Sequence, residues 1–193
     1  METKSIMIVG VGGQGTLLAS RLLGNALLSK NYDVKVSEVH GMSQRGGSVV
    51  TYVKYGSKVA SPIVALGEAD LILSFEQLEA ARWLPYLKKG GTIITNTQKM
   101  DPMPVVMGAA EYPHDILDAI RAKGVNLVAV DALSMAVEAG SANAVNVALI
   151  GVMARNMDLE KQVWKDTIAA TVPAKFLEMN EKAFELGYAS QGE

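Results

Sequence analysis

The stretch Gly10-Val11-Gly12-Gly13-Gln14-Gly15 most constrains what this chain can fold into. It follows a short apolar, β-branched run, Ser5 to Val9, that reads as a buried parallel strand. It precedes Thr16 to Lys30, where Leu17, Leu18, Leu22, Leu27 and Leu28 cover a broad apolar face of a helix. Strand, G-x-G-x-x-G turn and helix, in that order, open a dinucleotide-binding βαβ unit. Glycines there let the backbone turn tightly and approach a diphosphate, and the N–H groups at the helix start attract an anion. They can equally serve close strand–helix packing and nothing more. A dinucleotide site also wants an acid about 20 residues on, to hold the ribose, and Glu38 follows Gly15 at roughly that interval.

The remaining pattern extends the α/β reading. Asp33 to Val39 alternates and predicts a second strand, and a polar, glycine-rich loop, His40 to Gly47, follows it. Ser48 to Tyr55 is strongly strand-like, and Val59 to Pro62 is expected to start a partner strand, so this part adds antiparallel strands to a parallel sheet. Asp70 to Phe75 reads as another buried strand, Gln77 to Leu87 as a helix disturbed by Pro85 and ended by Gly90-Gly91, and Thr92 to Asn96 as the next strand. Segment 100–113, with Pro102, Pro104 and Pro113, is a loop with at most a short edge strand. His114 to Lys123 reads as a helix, Asn126 to Val130 as the last strand, and Asp131 to Ala139, Asn143 to Asn156 and Leu159 to Leu186 as helices, the last broken near Pro173. The expected fold is α/β: one domain over 1–193, a Rossmann-like, doubly wound mixed sheet with helices on both faces and a helical C-terminal tail. In it, the glycine turn and the 40–47 loop leave the carboxyl ends of neighbouring strands, where ligands gather.

Composition removes several function classes. The chain has no cysteine, so it offers no disulfide, thiolate nucleophile, cysteine-ligated zinc or cluster-binding thiolates. Two histidines, His40 and His114, lie far apart and make no metal site or triad. A net charge of -2 gives no case for nucleic acid or an anionic membrane. No secretory signal is visible and no apolar run is long enough to span a bilayer, so a cytoplasmic protein is expected. Gly12-Gly13-Gln14 sits closer to the turn of ubiquitin-activating-type adenylating enzymes than to that of a plain dehydrogenase, but the D-x-D stretch and CxxC pairs that accompany it there are missing. No catalytic acid or base stands out to act beside a nicotinamide.

The second loop is the more specific feature. In Glu38 to Gly56, EVHGMSQRGGSVVTYVKYG, a strand leads to His40-Gly41, then Ser43-Gln44-Arg45, then Gly46-Gly47 and a long strand. An arginine before paired glycines presents a cation and several N–H groups to an anion. A surface arginine on a glycine-rich connection is the plainer alternative, and both stay open.

Taken together, GVGGQG and the loop ending in Arg45-Gly46-Gly47 resemble the gamma-type domain of 2-oxoacid:ferredoxin oxidoreductases, most closely its indolepyruvate-type branch. Further likeness lies in DLILSFEQLEAARWLPYLKKGGTIITN (70–96) and SANAVNVALIG (141–151), and the resemblance runs roughly from Ser5 to Leu186. It implies an oxidoreductase that converts a 2-oxoacid and coenzyme A to acyl-CoA and carbon dioxide and passes electrons to ferredoxin. Thiamine diphosphate and iron–sulfur clusters are then expected in a large alpha subunit. This chain lacks cysteine and a G-D-G…N-N thiamine-diphosphate motif, in keeping with the accessory subunit, without catalytic residues of its own, that the resemblance implies. The candidate cofactor-contacting residues are Gly10, Gly12, Gly13, Gln14, Gly15, Arg45, Gly46 and Gly47, with coenzyme A as the expected contact. Docking of the partner subunit on the same two loops is the competing role. A stand-alone NAD(P)- or nucleotide-binding module is the alternative function. Bland roles are expected elsewhere: a hydrogen-bonding loop histidine at 40, a helix start at Glu76, packing at Trp83 and Trp164, and a buried partner for Asn146. Glu76, at the sheet's carboxyl edge, has facing the cleft as its alternative to starting a helix, and Asn96, at the end of another strand, is a second candidate to line it.

Overall fold

The computed structural model describes residues 2–39 and 47–192. Six strands form one mixed sheet in the order β2-β3-β1-β4-β5-β6. They are β1 (Lys4–Val11), β2 (Asp33–Val39), β3 (Ser48–Gly56), β4 (Ala69–Ser74), β5 (Leu87–Asn96) and β6 (Asn126–Val130). The helices are α1 (Thr16–Ser29), α2 (Gln77–Trp83), α3 (Met103–Val106), α4 (Ile116–Arg121), α5 (Ala132–Ala139), α6 (Val145–Arg155), α7 (Lys161–Thr171) and α8 (Leu177–Ala189).

Strand alternation sorts the core into two layers. Ile6 and Ile8 of β1 and Leu71 and Leu73 of β4 point to one face, where α1, α5, α6, α7 and α8 supply Leu22, Leu23, Leu27, Ala136, Ile150, Trp164 and Phe184. Met7, Val9 and Ile72 point to the other, against Ala80 of α2 and Ile116 and Ile120 of α4. Helices therefore cover both faces, as the sequence pattern predicts. The C-terminal helices belong to the first layer, and α8 lies so close on α6 that a Cβ at Gly187 would sit 1.9 Å from the Ala148 carbonyl oxygen.

Three expectations need correcting. First, Val59 to Pro62 forms no strand; one antiparallel strand, β3, enters the sheet, pairing with β1 on one side and β2 on the other. The ends of β1 and β2 are thus not neighbours, because β3 lies between them. Second, Pro85 closes α2 in a tight 3₁₀ turn, Leu84–Tyr86, and the chain enters β5 at Leu87. Gly90 and Gly91 lie inside that strand, where the register to β4 shifts between Ala69 and Leu71, rather than ending a helix. Third, the proline-bearing segment after β5 folds into the short helix α3, with Pro102 before its first turn, and pairs with no strand. A proline fits an N-terminal turn, where its missing N–H is no loss, better than a ladder.

Candidate functional site

β1 leaves the core buried to Val11 and ends in the glycine turn at the carboxyl edge of the sheet. Gly13 (φ +103) and Gly15 (φ +84) adopt left-handed backbone that L side chains avoid. Gly15 has a second constraint: a Cβ there would lie 2.7 Å from Nδ2 of Asn146 on α6. Gly15 is also the N-cap of α1 and carries no side-chain acceptor. The first-turn N–H groups of Thr16 and Leu17 have no intrahelical acceptor, so the positive end of a 14-residue helix faces the turn with no side-chain cap among the described residues.

Gln14 has a different task. Its Oε1 accepts from the Val11 N–H at 2.8 Å, while Nε2 donates to the Phe75 carbonyl at 3.1 Å and to Gln98 Oε1 at 3.4 Å. The side chain ties the turn to the ends of β4 and β5. It thereby bridges the point where the chain's two windings diverge, β1 toward β2 and β4 toward β5, the usual ligand crevice of such sheets. Gln98, which also accepts from Asn96 Nδ2 at 3.3 Å, is a site residue that sequence reasoning missed. Its only signal is its place just beyond a strand's carboxyl end.

The second loop returns to the same edge. Ser48, the first residue of β3, sits opposite Val11, and Gly47 accepts the Gly12 N–H at 2.9 Å through its carbonyl. The Ser48 hydroxyl donates to the buried carboxylate of Glu79, which also accepts from Arg82 Nε at 3.0 Å and Trp83 Nε1 at 3.3 Å. The structure therefore brings Gly10, Gly12, Gly13, Gln14, Gly15 and Gly47 together. Arg45 and Gly46, with His40, Ser43 and Gln44, lie outside the described residues.

Two pockets flank the glycine turn. One, of about 340 Å³, lies between the start of α1, Val39 of β2 and Val49 to Thr51 of β3. The other, of about 540 Å³, lies between the turn, Gln98, Met100, Leu133, Asn143 and Asn146. Gly12, Gly13 and Gly15 line both, and among the described residues no charged side chain lines either. A third cavity, of about 220 Å³, lies behind Gly47 and Ser48 and is closed by Glu76, Met100, Pro102 and Met103.

The residues weighed for the cleft separate cleanly. Asn96 is fully buried beneath it: Oδ1 accepts the Ala132 N–H at 3.1 Å, at the start of α5. Asn146 finds the buried partner it needs in the Gly15 carbonyl at 3.4 Å and accepts the Val147 N–H at 2.9 Å. Glu76 begins α2 as its N-cap, accepting the Glu79 N–H at 2.9 Å. Its other oxygen accepts the Met100 N–H at 3.2 Å and the Tyr112 hydroxyl. Burial, then the bond to Glu76, pushes the Tyr112 phenol above its ordinary range, so it stays a neutral donor. Trp164 is fully buried.

Glu38, the acid a dinucleotide site would need, is turned to other use. Its Oε1 accepts from the Ser20 hydroxyl of α1 at 2.8 Å. Its strand stands one further from the turn than in a plain βαβ unit. Among the described residues no cluster of three His, Cys, Asp or Glu side chains is placed to hold a metal ion, and no helix is long and apolar enough to cross a membrane.

Comparison with known proteins agrees with this architecture. Residues 5–190 match the family "Pyruvate ferredoxin/flavodoxin oxidoreductase". A relative from Thermococcus kodakarensis named indolepyruvate oxidoreductase subunit IorB is 45% identical over 194 residues, which cover 97% of this chain and 95% of that protein. Pyruvate oxidoreductase subunit PORC of Thermotoga maritima shares the fold at a TM-score of 0.74 and 19% identity, covering 97% of this chain and 96% of that one. The 2-oxoglutarate:ferredoxin oxidoreductase of Magnetococcus marinus, solved with 2-oxoglutarate, coenzyme A and succinyl-CoA bound, shares it at 0.74 and 17% identity. There the match covers 98% of this chain but 31% of the other, so the same fold also exists as one part of a longer polypeptide. The chain belongs to the pyruvate ferredoxin/flavodoxin oxidoreductase family.

Proposed function

We propose that this chain is the small accessory subunit of an indolepyruvate-type, aryl 2-oxoacid:ferredoxin oxidoreductase. The observation that carries the reading is the 45% identity to a protein named as a subunit of an indolepyruvate oxidoreductase, over nearly the full length of both chains. The reaction is oxidative decarboxylation: a 2-oxoacid and coenzyme A give acyl-CoA and carbon dioxide, and a pair of electrons goes to ferredoxin.

The donor set of this chain does not fit the redox cofactors. Without cysteine it cannot ligate an iron–sulfur cluster, and it has no thiamine-diphosphate motif. Those groups belong to a large alpha subunit, with which this single-domain chain assembles in the cytoplasm. Its own contribution is to bind and orient. The glycine turn offers the N–H groups of α1 to an anion between two pockets whose described lining is uncharged, Gly47 lies at the same edge, and Arg45 and Gly46, next to it in sequence, are proposed to contribute a cation and further N–H groups. Coenzyme A supplies the matching diphosphate. Gly12, Gly13 and Gly15 are the contacts; Gly10 and Gln14 hold the turn in shape. A stand-alone NAD(P) module is the weaker reading, because the identity to an oxidoreductase subunit runs over nearly the whole chain and the strand that carries Glu38 is displaced from the turn by β3.

Co-expression with the large subunit tests this. A stable complex that reduces ferredoxin only with both indolepyruvate and coenzyme A is expected. Arg45→Ala is expected to raise the KM for coenzyme A several-fold and leave that for indolepyruvate unchanged. An unchanged KM for coenzyme A removes the contact, and tight NADH binding by the isolated chain with no complex removes the function.

A further inference from the structure

Segment 97–113 leaves β5 at the carboxyl edge and returns to α4 as a strap. One buried carboxylate clips both of its ends: Glu76 Oε1 accepts the Met100 N–H on the outgoing limb and the Tyr112 hydroxyl on the returning one. Further bonds hold the outgoing limb to α2, Gln77 N–H to the Gln98 carbonyl at 3.3 Å and Gln77 Nε2 to the Thr97 carbonyl at 2.8 Å. At the tip, the N–H groups of Ala109 and Ala110 both reach the Pro104 carbonyl, at 2.8 and 3.1 Å. The strap is therefore a shaped element and not a slack loop.

What it presents is apolar. Met103, Val106 and Met107 are 62%, 65% and 74% exposed on and beside α3, a prominence that water does not favour. It adjoins the functional edge: Met100, Pro102, Met103 and Pro104 close the 220 Å³ cavity whose other wall is Val11, Gly47 and Ser48.

We propose that this strap tip is the docking knob for the polypeptide that carries the decarboxylating and electron-carrying cofactors. The inference rests on the accessory-subunit reading above. A ligand whose diphosphate lies on the glycine turn is held at the carboxyl edge of the sheet, on a chain with no catalytic group for it. It reacts only if the polypeptide with that chemistry closes over the same edge. Leu17, Val39 and Leu133 are also exposed at that edge, but they line the two pockets beside the turn; among the described residues the strap tip is the most exposed apolar group there, whereas the exposed Ile63 and Leu66 lie between β3 and β4 at the opposite, amino edge. A thioether-rich tip suits a partner groove, since methionine adapts its shape to the surface it meets.

The test uses the full-length chain and its purified large subunit. The triple variant Met103→Glu, Val106→Glu, Met107→Glu is compared with Met107→Glu alone and with the amino-edge control Ile63→Glu, Leu66→Glu. Thermal melting of each isolated chain checks folding; the single change, at the most exposed position, serves if the triple melts early. The Kd for the large subunit is expected to rise at least about tenfold in the triple variant, several-fold in the single, and to stay within about twofold in the control. Wild-type affinity in the well-folded strap variants overturns the inference and leaves the accessory-subunit reading standing. Failure of the wild-type chain itself to bind the large subunit overturns both. If sedimentation shows the strap variants breaking a self-association while partner affinity is unchanged, the occupant is a second copy and the inference is again overturned.

Discussion

Gln14→Glu is the sharpest perturbation the site offers, because it changes one group and almost no volume. The amide accepts one bond through Oε1, from Val11 N–H, and donates two through Nε2, to Phe75 O and Gln98 Oε1. A net gain of about 1 kcal/mol per neutral hydrogen bond, with the 3.4 Å contact worth less, makes Gln14→Ala cost about 2 kcal/mol. The isosteric change keeps the bond to Val11 but turns a double donor into an ionised acceptor facing two carbonyl oxygens. It should cost more than the truncation, about 3 kcal/mol or more at neutral pH. The introduced carboxyl has its folded-state pKa raised by this lone-pair contact. A raised folded pKa means the deficit is full above that value and shrinks as pH falls through it, because the protonated group can again donate to Phe75 O. Urea unfolding of wild type, Gln14→Ala and Gln14→Glu at about pH 8 and about pH 5 reads this directly. The gap between Gln14→Glu and wild type should narrow at the lower pH, and the gap for Gln14→Ala should not move. A Gln14→Glu protein as stable as wild type at both pH values would refute the cross-link.

Three further outcomes follow from the packing. Gly187→Ala, whose Cβ would lie 1.9 Å from the Ala148 carbonyl oxygen, forces α6 and α8 apart and should cost about 3 kcal/mol or more, seen as a lowered Tm. Glu76→Ala strands the Glu79 and Met100 N–H groups and the Tyr112 hydroxyl; it should cost about 3 kcal/mol in urea unfolding and speed amide exchange at Met100. The Glu68 carboxyl is held below its ordinary range by the Ala65 N–H and then by Lys54, so its contribution is present above that range and lost as pH falls through the depressed value. Glu68→Gln should therefore flatten the acid limb of a plot of urea midpoint against pH.

What the sequence made legible follows from local physics. Asp33–Val39 and Asn126–Val130 alternate or run apolar between breakers, and they are strands with those bounds. The glycine turn and Glu76 were readable because their conformation depends on neighbours in sequence: a left-handed N-cap wants glycine, and an acid before a helix caps it. The place of β3 was not readable. Its strength as a strand is local, but its position between β1 and β2 is a choice among distant edges that no window contains. The same holds for Gln14, whose polar side chain looks free for a ligand until Gln98, far along the chain, is brought beside it. Gly90-Gly91 misled for a related reason: glycines that usually stop a helix here lie where β5 changes register against β4.

The insertion of β3 also changes what a G-x-G-G-Q-G turn can hold. In a plain βαβ unit the second strand lies beside the first, and an acid at its end reaches the ribose of a nucleotide whose diphosphate sits on the turn. Here that strand is displaced by one spacing, about 4.8 Å, and its acid accepts a hydrogen bond from Ser20 on the flank of α1. The second half of a dinucleotide would cross to the far side of the switch point, between β1 and β4, but Gln14 joins the turn to Phe75 there. The displaced acid and the Gln14 bridge both work against a dinucleotide, while the left-handed N-cap and the start of α1 remain. A turn built this way can seat a diphosphate only from a ligand whose remaining length runs outward, off the sheet edge. Coenzyme A meets that condition, since its reactive thiol lies at the far end of a flexible arm. Under the proposed reading, the arm would end on the large subunit, which is the polypeptide proposed to dock on the apolar strap beside the turn.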